Sequence, residues 1–264
     1  MPEADARSDL ALLIDAARAA GRIAVKHWRA DPETWDKADG AGPVTEADLE
    51  VDAMLHAELL AARPDYGWLS EETADTPERL QADRVFVVDP IDGTRSFIAG
   101  QRTFAHALTV VEQGRPVAGV VYLPLRDKLY AAALGYGATL NGAPITTSAR
   151  SQPGGASMLA AKPNFAPEHW GGTPPDLARH FRTSLAYRVS LVAEGRFDAM
   201  MTIRDAWEWD IAAGCLIAAE AGARVTDRLG APLVFNSPGA KTPGALVANP
   251  VLHENLRAAM TLAS

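Results

Sequence analysis

Apolar residues recur at steps of three and four over residues 10–28, at Leu10, Ile14, Ala17, Gly21, Val25 and Trp28. That spacing predicts an amphipathic helix, with Ser8 placed to cap it. A polar stretch over 31–43, carrying Lys37, reads as a loop. Thr45-Glu46-Ala47-Asp48 has the form of a capping box and opens a second helix, buried along Val51, Met54, Leu55, Leu59 and Ala62. After the turn Pro64-Asp65-Tyr66-Gly67 the period changes to that of strands. Residues 68–72 form a short strand running into an acidic loop. Residues 85–88 are apolar at every position, as in a strand covered on both faces. The runs 103–112, 116–123 and 128–134, separated by short turns with Gly or Pro, predict an antiparallel meander. Asn141-Gly142 is a two-residue hairpin signal that closes 138–140 onto 144–146.

Residues 146–157 are rich in Ser, Gly and Pro. They read as a boundary between an amino-terminal α+β unit, 1–150, and a carboxy-terminal α/β unit, 151–264. Beyond it the pattern predicts a strand at 158–161, a Pro-rich loop, a helix around 176–182, a second helix over 184–194 and a strand at 197–203. An apolar helix over 209–221 follows, stopped by Gly222. Short strands at 224–227, 232–236 and 245–248 precede a last helix, capped by Asn249 and running to Leu262.

Composition narrows the function classes. The chain has 264 residues, 48% of them hydrophobic, so a large buried core is available. Its formal net charge of -8 argues against a nucleic-acid polymer or an anionic membrane as partner. It leaves room for a small phosphorylated substrate, because bound divalent cations reverse the local field. Cys215 is the single cysteine, which excludes an internal disulfide and any multi-cysteine metal site. The start, Met1-Pro2-Glu3-Ala4-Asp5, has no basic flank or apolar run of a signal peptide. No stretch approaches the roughly 18 apolar residues of a membrane span. A cytoplasmic protein is expected. The histidines lack zinc spacing, and neither a Gly-x-Ser-x-Gly elbow nor a dinucleotide fingerprint is present.

The chemistry gathers around Asp89-Pro90-Ile91-Asp92-Gly93-Thr94, at the end of the apolar strand. Glu71-Glu72 end another strand upstream, and Asp210 opens the apolar helix. Each has an ordinary reading. Asp-Pro and Asp-Gly make turns, and an acid at a helix start is favoured by the dipole. Gly93-Thr94 can be a turn and a cap, the capping box alone accounts for Asp48, and Lys37 fits a solvated surface. Taken together, the four carboxylates Glu71, Asp89, Asp92 and Asp210, placed at element ends, are the oxygen donors that magnesium requires. A pair of such ions about 3.5–4 Å apart activates water and stabilises a leaving oxygen. Backbone amides and a hydroxyl at Gly93-Thr94 suit a phosphate.

Three ordered motifs extend this: Leu69-Ser70-Glu71-Glu72, then Asp89-Pro90-Ile91-Asp92-Gly93-Thr94 with Phe97, and Trp209-Asp210-Ile211-Ala212-Ala213-Gly214 with Glu220-Ala221-Gly222. With Pro43-Val44-Thr45-Glu46-Ala47-Asp48 and Asn141-Gly142-Ala143-Pro144-Ile145, the chain resembles the inositol monophosphatase superfamily of magnesium-dependent, lithium-sensitive phosphatases. The resemblance implies an α+β fold, a layered α-β-α-β-α sandwich, and a homodimer. It implies that Glu71, Asp89 and the Ile91 carbonyl hold a first metal ion and that Asp89, Asp92 and Asp210 hold a second. Glu71 would reach a third, weaker ion. The cofactor would be Mg2+, two to three ions, with Mn2+ able to substitute and Ca2+ or Li+ inhibitory. Gly93 and Thr94 would bind phosphate, with Asp92, Asp210 and Arg188 also on the substrate side. Thr94, paired with Asp48 near Lys37, would help Glu71 position the attacking water.

Departures within the resemblance bear on the substrate. Ser70 and Glu208-Trp209-Asp210 are similar to the 3'(2'),5'-bisphosphate nucleotidase branch. Ile203 stands where the inositol-type enzymes carry a Glu that meets inositol hydroxyls. Arg188 falls where the bacterial nucleotidases place a basic residue, which a second phosphate would want. The expectation is hydrolysis of phosphoadenosine phosphate to AMP. Inositol 1-phosphate, or histidinol phosphate, is the alternative substrate. A catalytically silent scaffold of the same fold is the non-enzymatic alternative.

Overall fold

The computed structural model describes residues 5–30, 32–37 and 42–261. The acidic start Met1–Ala4, parts of the 31–43 loop and Leu262 lie outside them. Helix α1 (Ala6–His27) is amphipathic, but its buried face runs along Leu13, Ala16, Ala17, Ala20, Gly21 and Ala24, with Leu10, Ile14 and Trp28 at its margin and Val25 exposed. Asp5 caps it, accepting from the Arg7 amide at 3.3 Å. The Ser8 hydroxyl instead lies inside the first turn and donates to the Asp5 carbonyl. Strands β1 (Thr34–Asp36) and β2 (Pro43–Thr45) form a small antiparallel pair ahead of α2 (Glu46–Ala62). The capping box of α2 is present as read, with Thr45 and Asp48 bonding reciprocally.

The long strand runs form a seven-stranded sheet. Strand β3 (Gly67–Ser70) lies parallel to β4 (Arg84–Asp92), which leads through the short helix α3 (Thr94–Ile98). Then β5 (Ala105–Glu112), β6 (Arg115–Leu123), β7 (Lys128–Ala133), β8 (Ala138–Leu140) and β9 (Ala143–Pro144) follow in chain order, each antiparallel to the last. The last hairpin turns at Asn141 and Gly142, with φ of 51° and 81°, the left-handed pair that a two-residue turn requires.

A five-stranded sheet follows, in the order β11-β10-β12-β16-β14. Its strands are β10 (Ala156–Ala160), β11 (Leu177–His180), β12 (Ala199–Thr202), β14 (Arg224–Thr226) and β16 (Ala245–Ala248). A two-stranded pair, β13 (Ala206–Trp207) with β15 (Lys241–Thr242), stands beside it. Helices α4 (Leu185–Ala193), α5 (Glu208–Glu220) and α6 (Pro250–Ala259) complete the chain.

Three further sequence expectations fail. Residues 176–182 are not a helix, because their backbone pairs as β11 along the free edge of β10. Ala178, Arg179 and His180 there are exposed, so no apolar stripe was available to hold so short a helix. Residues 232–236 form no strand. The Phe235 amide donates to Gly114 and the Asn236 amide to the Glu208 carboxylate, which leaves no ladder to build. The last helix ends at Ala259, short of Leu262.

The layering is α-β-α-β-α, as expected. Helices α1 and α2 bury Leu13, Leu55 and Leu59 with Phe86, Val88 and Leu108 on one face of the larger sheet. On its other face, Val85, Val87 and Ala107 meet α4 and α5, which also cover Met200 and Val247 of the smaller sheet. The far side of that sheet is closed by Leu252 and Leu256 of α6. The middle helices sit unusually close: a Cβ on Gly214 of α5 would stand 2.9 Å from Val189 Cβ of α4. No helix among the described residues is long and apolar enough to cross a membrane.

Candidate metal centre

In a regular strand, residues three apart point to opposite faces. Asp89 and Asp92 nevertheless share one. Asp89 opposes Ala107 and Asp92 opposes Ala105, so β4 spends three steps where β5 spends two. This one-residue bulge turns both acids toward the middle helices, the side on which Ala105 and Ala107 lie. Ile91 is left in the core beneath α1 and α2.

Three chain segments meet at this face. Glu71 follows the end of β3, Asp89 ends the regular part of β4, and Asp210 lies in the first turn of α5. One oxygen from each lies within 4.8 Å of the others. Asp89 is 1% exposed, and among the described residues neither of its carboxylate oxygens receives a hydrogen bond. Burial, with Glu71, Asp92 and Asp210 next, holds its carboxyl well above the usual range. Burial, Asp92 and Glu71 do the same to Asp210. A buried carboxylate without a donor, crowded by two others that repel it, fits a hard cation with oxygen ligands.

Asp92 stands apart from that trio. Its oxygens accept from the Ser184 hydroxyl at 2.7 Å, the Ala186 amide at 2.6 Å and the Leu185 amide at 3.2 Å. It therefore anchors the start of α4, where exposed amides and the dipole favour an anion. Burial still raises its carboxyl to about 6, against these bonds and the charge of Arg188. Arg188 lies one turn further along α4. Its Nε and Nη2 donate to the carbonyls of Arg182 and Thr183, and its guanidinium lies 4.3 Å from the centre of the Phe181 ring. Burial lowers its pKa, and the charges of Asp92 and Asp210 oppose that.

On the other flank, Lys37 Nζ donates to Glu71 and Glu72, 2.7 Å from each. Burial pulls the ammonium down, but the two glutamates outweigh it and raise its pKa. Glu72, with a side chain only 4% exposed, is pushed up to about 7 by burial despite Lys37. The Thr94 hydroxyl lies 3.0 Å from Asp48 Oδ1 and 3.1 Å from the Ile91 carbonyl, and its one hydrogen serves either acceptor. Asp48 Oδ2 is held by the Thr45 amide and hydroxyl. Burial raises Asp48 in spite of these bonds. Gly93 has φ of 105°, and a Cβ there would meet the Thr103 carbonyl at 3.2 Å, so a bare backbone opens α3.

Lys37, Asp48, Glu71, Asp89, Ile91, Asp92, Gly93, Thr94, Arg188 and Asp210 thus lie in one contiguous region, with Asp92 in a bonded role the sequence did not reveal. Three further contributors were missed. Asp52 accepts from the Ser70 and Thr73 hydroxyls, both at 2.5 Å, and so clamps the turn that carries Glu71 and Glu72. Its signal was an acid inside the buried stripe of α2. Ser184 had none beyond an ordinary helix cap. His106, on β5 behind the bulge, bonds the Pro90 carbonyl.

The model of the inositol monophosphatase family matches residues 5–261. An inositol-1-monophosphatase of Mesorhizobium japonicum is 32% identical over 232 residues, 83% of this chain and 85% of that protein. The 3'(2'),5'-bisphosphate nucleotidase CysQ of Escherichia coli is 32% identical over 202 residues, 75% of this chain and 81% of that protein. The crystal structure of extragenic suppressor protein suhB from Bartonella henselae superposes with a TM-score of 0.81 at 27% identity, covering 96% of this chain and 98% of that one.

Proposed function

The chain belongs to the inositol monophosphatase family, and from that premise we propose that it is a magnesium-dependent phosphomonoesterase whose preferred substrate is a 3'(2'),5'-nucleoside bisphosphate, phosphoadenosine phosphate giving AMP. The observation that carries the reaction class is the trio Glu71, Asp89 and Asp210, with Asp89 buried and lacking a donor among the described residues. Glu71, Asp89, Asp210 and the Ile91 carbonyl would hold the cations, and Asp92 would join them through whichever lone pairs α4 leaves free. Divalent cations bound there supply charge neutralisation for the phosphate and a lowered pKa for a coordinated water.

The chain's own residues do the remaining work. Gly93 and Thr94 present amides and a hydroxyl to phosphate oxygens at the start of α3. Asp48 and the Ile91 carbonyl fix the Thr94 hydroxyl. Lys37 keeps Glu71 and Glu72 together against their repulsion. The site lies at the seam of the proposed units 1–150 and 151–264. The family reading extends to a homodimer and to inhibition by lithium or calcium.

Arg188 supports the bisphosphate. Its guanidinium is fixed by two carbonyls and the Phe181 ring while lying within the field of Asp92 and Asp210. Ile203, by contrast, packs on the far side of the smaller sheet, with no polar group to meet inositol hydroxyls. The test compares kcat/KM for phosphoadenosine phosphate, inositol 1-phosphate and histidinol phosphate in the wild type and in Arg188→Ala. Loss of a charge-assisted contact to the second phosphate should lower the bisphosphate value by roughly 10–100-fold and leave the monophosphates nearly unchanged. Equal losses on all three would refute the assignment.

A further inference from the structure

The bulge in β4 sets the carboxylate geometry, and something must hold it. The extra residue takes Pro90 out of the regular ladder. The residue is buried, and a carbonyl left there without a donor costs about 1–3 kcal/mol. The partner it has is His106, from the β5 position opposite the bulge, with Nδ1 and the Pro90 oxygen 2.5 Å apart.

A histidine is an odd choice for that place. It is 0% exposed and has the rings of Phe104 and Tyr122 at 6.1 and 6.3 Å. Its neighbours on the same face of β5, Leu108 and Val110, belong to the apolar core under α1 and α2. Its Nε2 has no partner among the described residues. A carbonyl only accepts, so Nδ1 carries the hydrogen and Nε2 is bare; burial holds the ring neutral, its pKa lowered to about 4. An apolar side chain would avoid the orphaned nitrogen. What histidine adds is the one donor that reaches across to Pro90.

We propose that His106 is a positioning residue for the metal centre: its Nδ1–H pins the Pro90 carbonyl and so maintains the bulge that turns Asp89 and Asp92 to the same face. This role rests on the reading of that face as a cation site. His106 touches neither cation nor substrate; it acts through the peptide between two of the acids. Without the pin, β4 can relax toward regular register, in which Asp92 would oppose Phe104 and face the wrong layer.

Leu and Asn provide the test, since they match in size and Asn Nδ2 occupies the branch position of His Nδ1. Manganese binding to the full-length protein, followed by electron paramagnetic resonance, is compared for wild type, His106→Asn and His106→Leu, together with the rise in Tm on adding magnesium. Loss of a supporting bond behind a metal ligand weakens affinity by about 10–100-fold. His106→Leu should fall in that range and lose most of the magnesium-induced rise. His106→Asn should stay within about threefold of wild type. Leu binding as tightly as wild type, or Asn and Leu weakening alike, would overturn the proposal. Wild-type protein that binds no manganese would instead sink the cation reading, and this role with it.

Discussion

Asp89→Asn separates an acid kept for a cation from one kept for the fold. Asp89 shares a space with Glu71 and Asp210 in which one oxygen from each lies within 4.8 Å of the others. At an effective dielectric of about 20, two unit charges at that separation repel by roughly 3.5 kcal/mol. Uptake of a proton relieves much of this in the metal-free protein, and the raised carboxyls of Asp89 and Asp210 record it. Asn keeps the shape, removes one charge and can donate its amide to the neighbouring carboxylates. The metal-free variant should therefore gain about 1–3 kcal/mol, a Tm rise of roughly 2–6 °C for a chain of this size. It should also lose phosphatase activity and the stabilising response to magnesium. Thermal unfolding followed by circular dichroism at neutral pH, in chelator and in magnesium, reads both effects. A lower Tm in chelator, or an undiminished magnesium response, would refute the reasoning.

Two further outcomes follow from the same geometry. Asp92→Asn should move metal-free stability the other way, down by about 1–3 kcal/mol, because an amide nitrogen would then face donors at the start of α4; an unchanged or higher Tm would remove its anchoring role. The metal-free protein should lose stability as pH rises. Carboxyls raised on folding bind more protons in the folded state, so their contribution fades above the ordinary carboxylate range and through about 6 for Asp92 and about 7 for Glu72. The gap between magnesium-loaded and chelated Tm should accordingly widen from pH 5 to pH 8, and a constant gap would contradict it.

The helices, the meander and the hairpin at Asn141-Gly142 were legible because period and turn chemistry are local properties. The same holds for the acids at element ends, whose placement needed only the strand and helix boundaries. Residues 176–182 were misread because the edge of β10, a partner distant in sequence, decided their conformation. Residues 232–236 were misread because their amides are drawn to Gly114 and Glu208. The bulge was hidden for a related reason: it is a mismatch between two strands, and β4 alone does not contain it. The anchoring of Asp92 to α4 was hidden because its three donors sit more than ninety positions downstream.

The two faces of the seven-stranded sheet are covered by parts of the chain that emerge at different times. Every residue of the core beneath α1 and α2 precedes the hairpin at Asn141. The face bearing Asp89 and Asp92 is closed by α4, α5 and the smaller sheet, all after residue 155. In a chain synthesised from its amino terminus, a sheet with one side packed can exist while both acids still face solvent. Desolvating them, and bringing Asp210 against Asp89, then belongs to a late docking step, the stage at which a divalent cation has most to contribute.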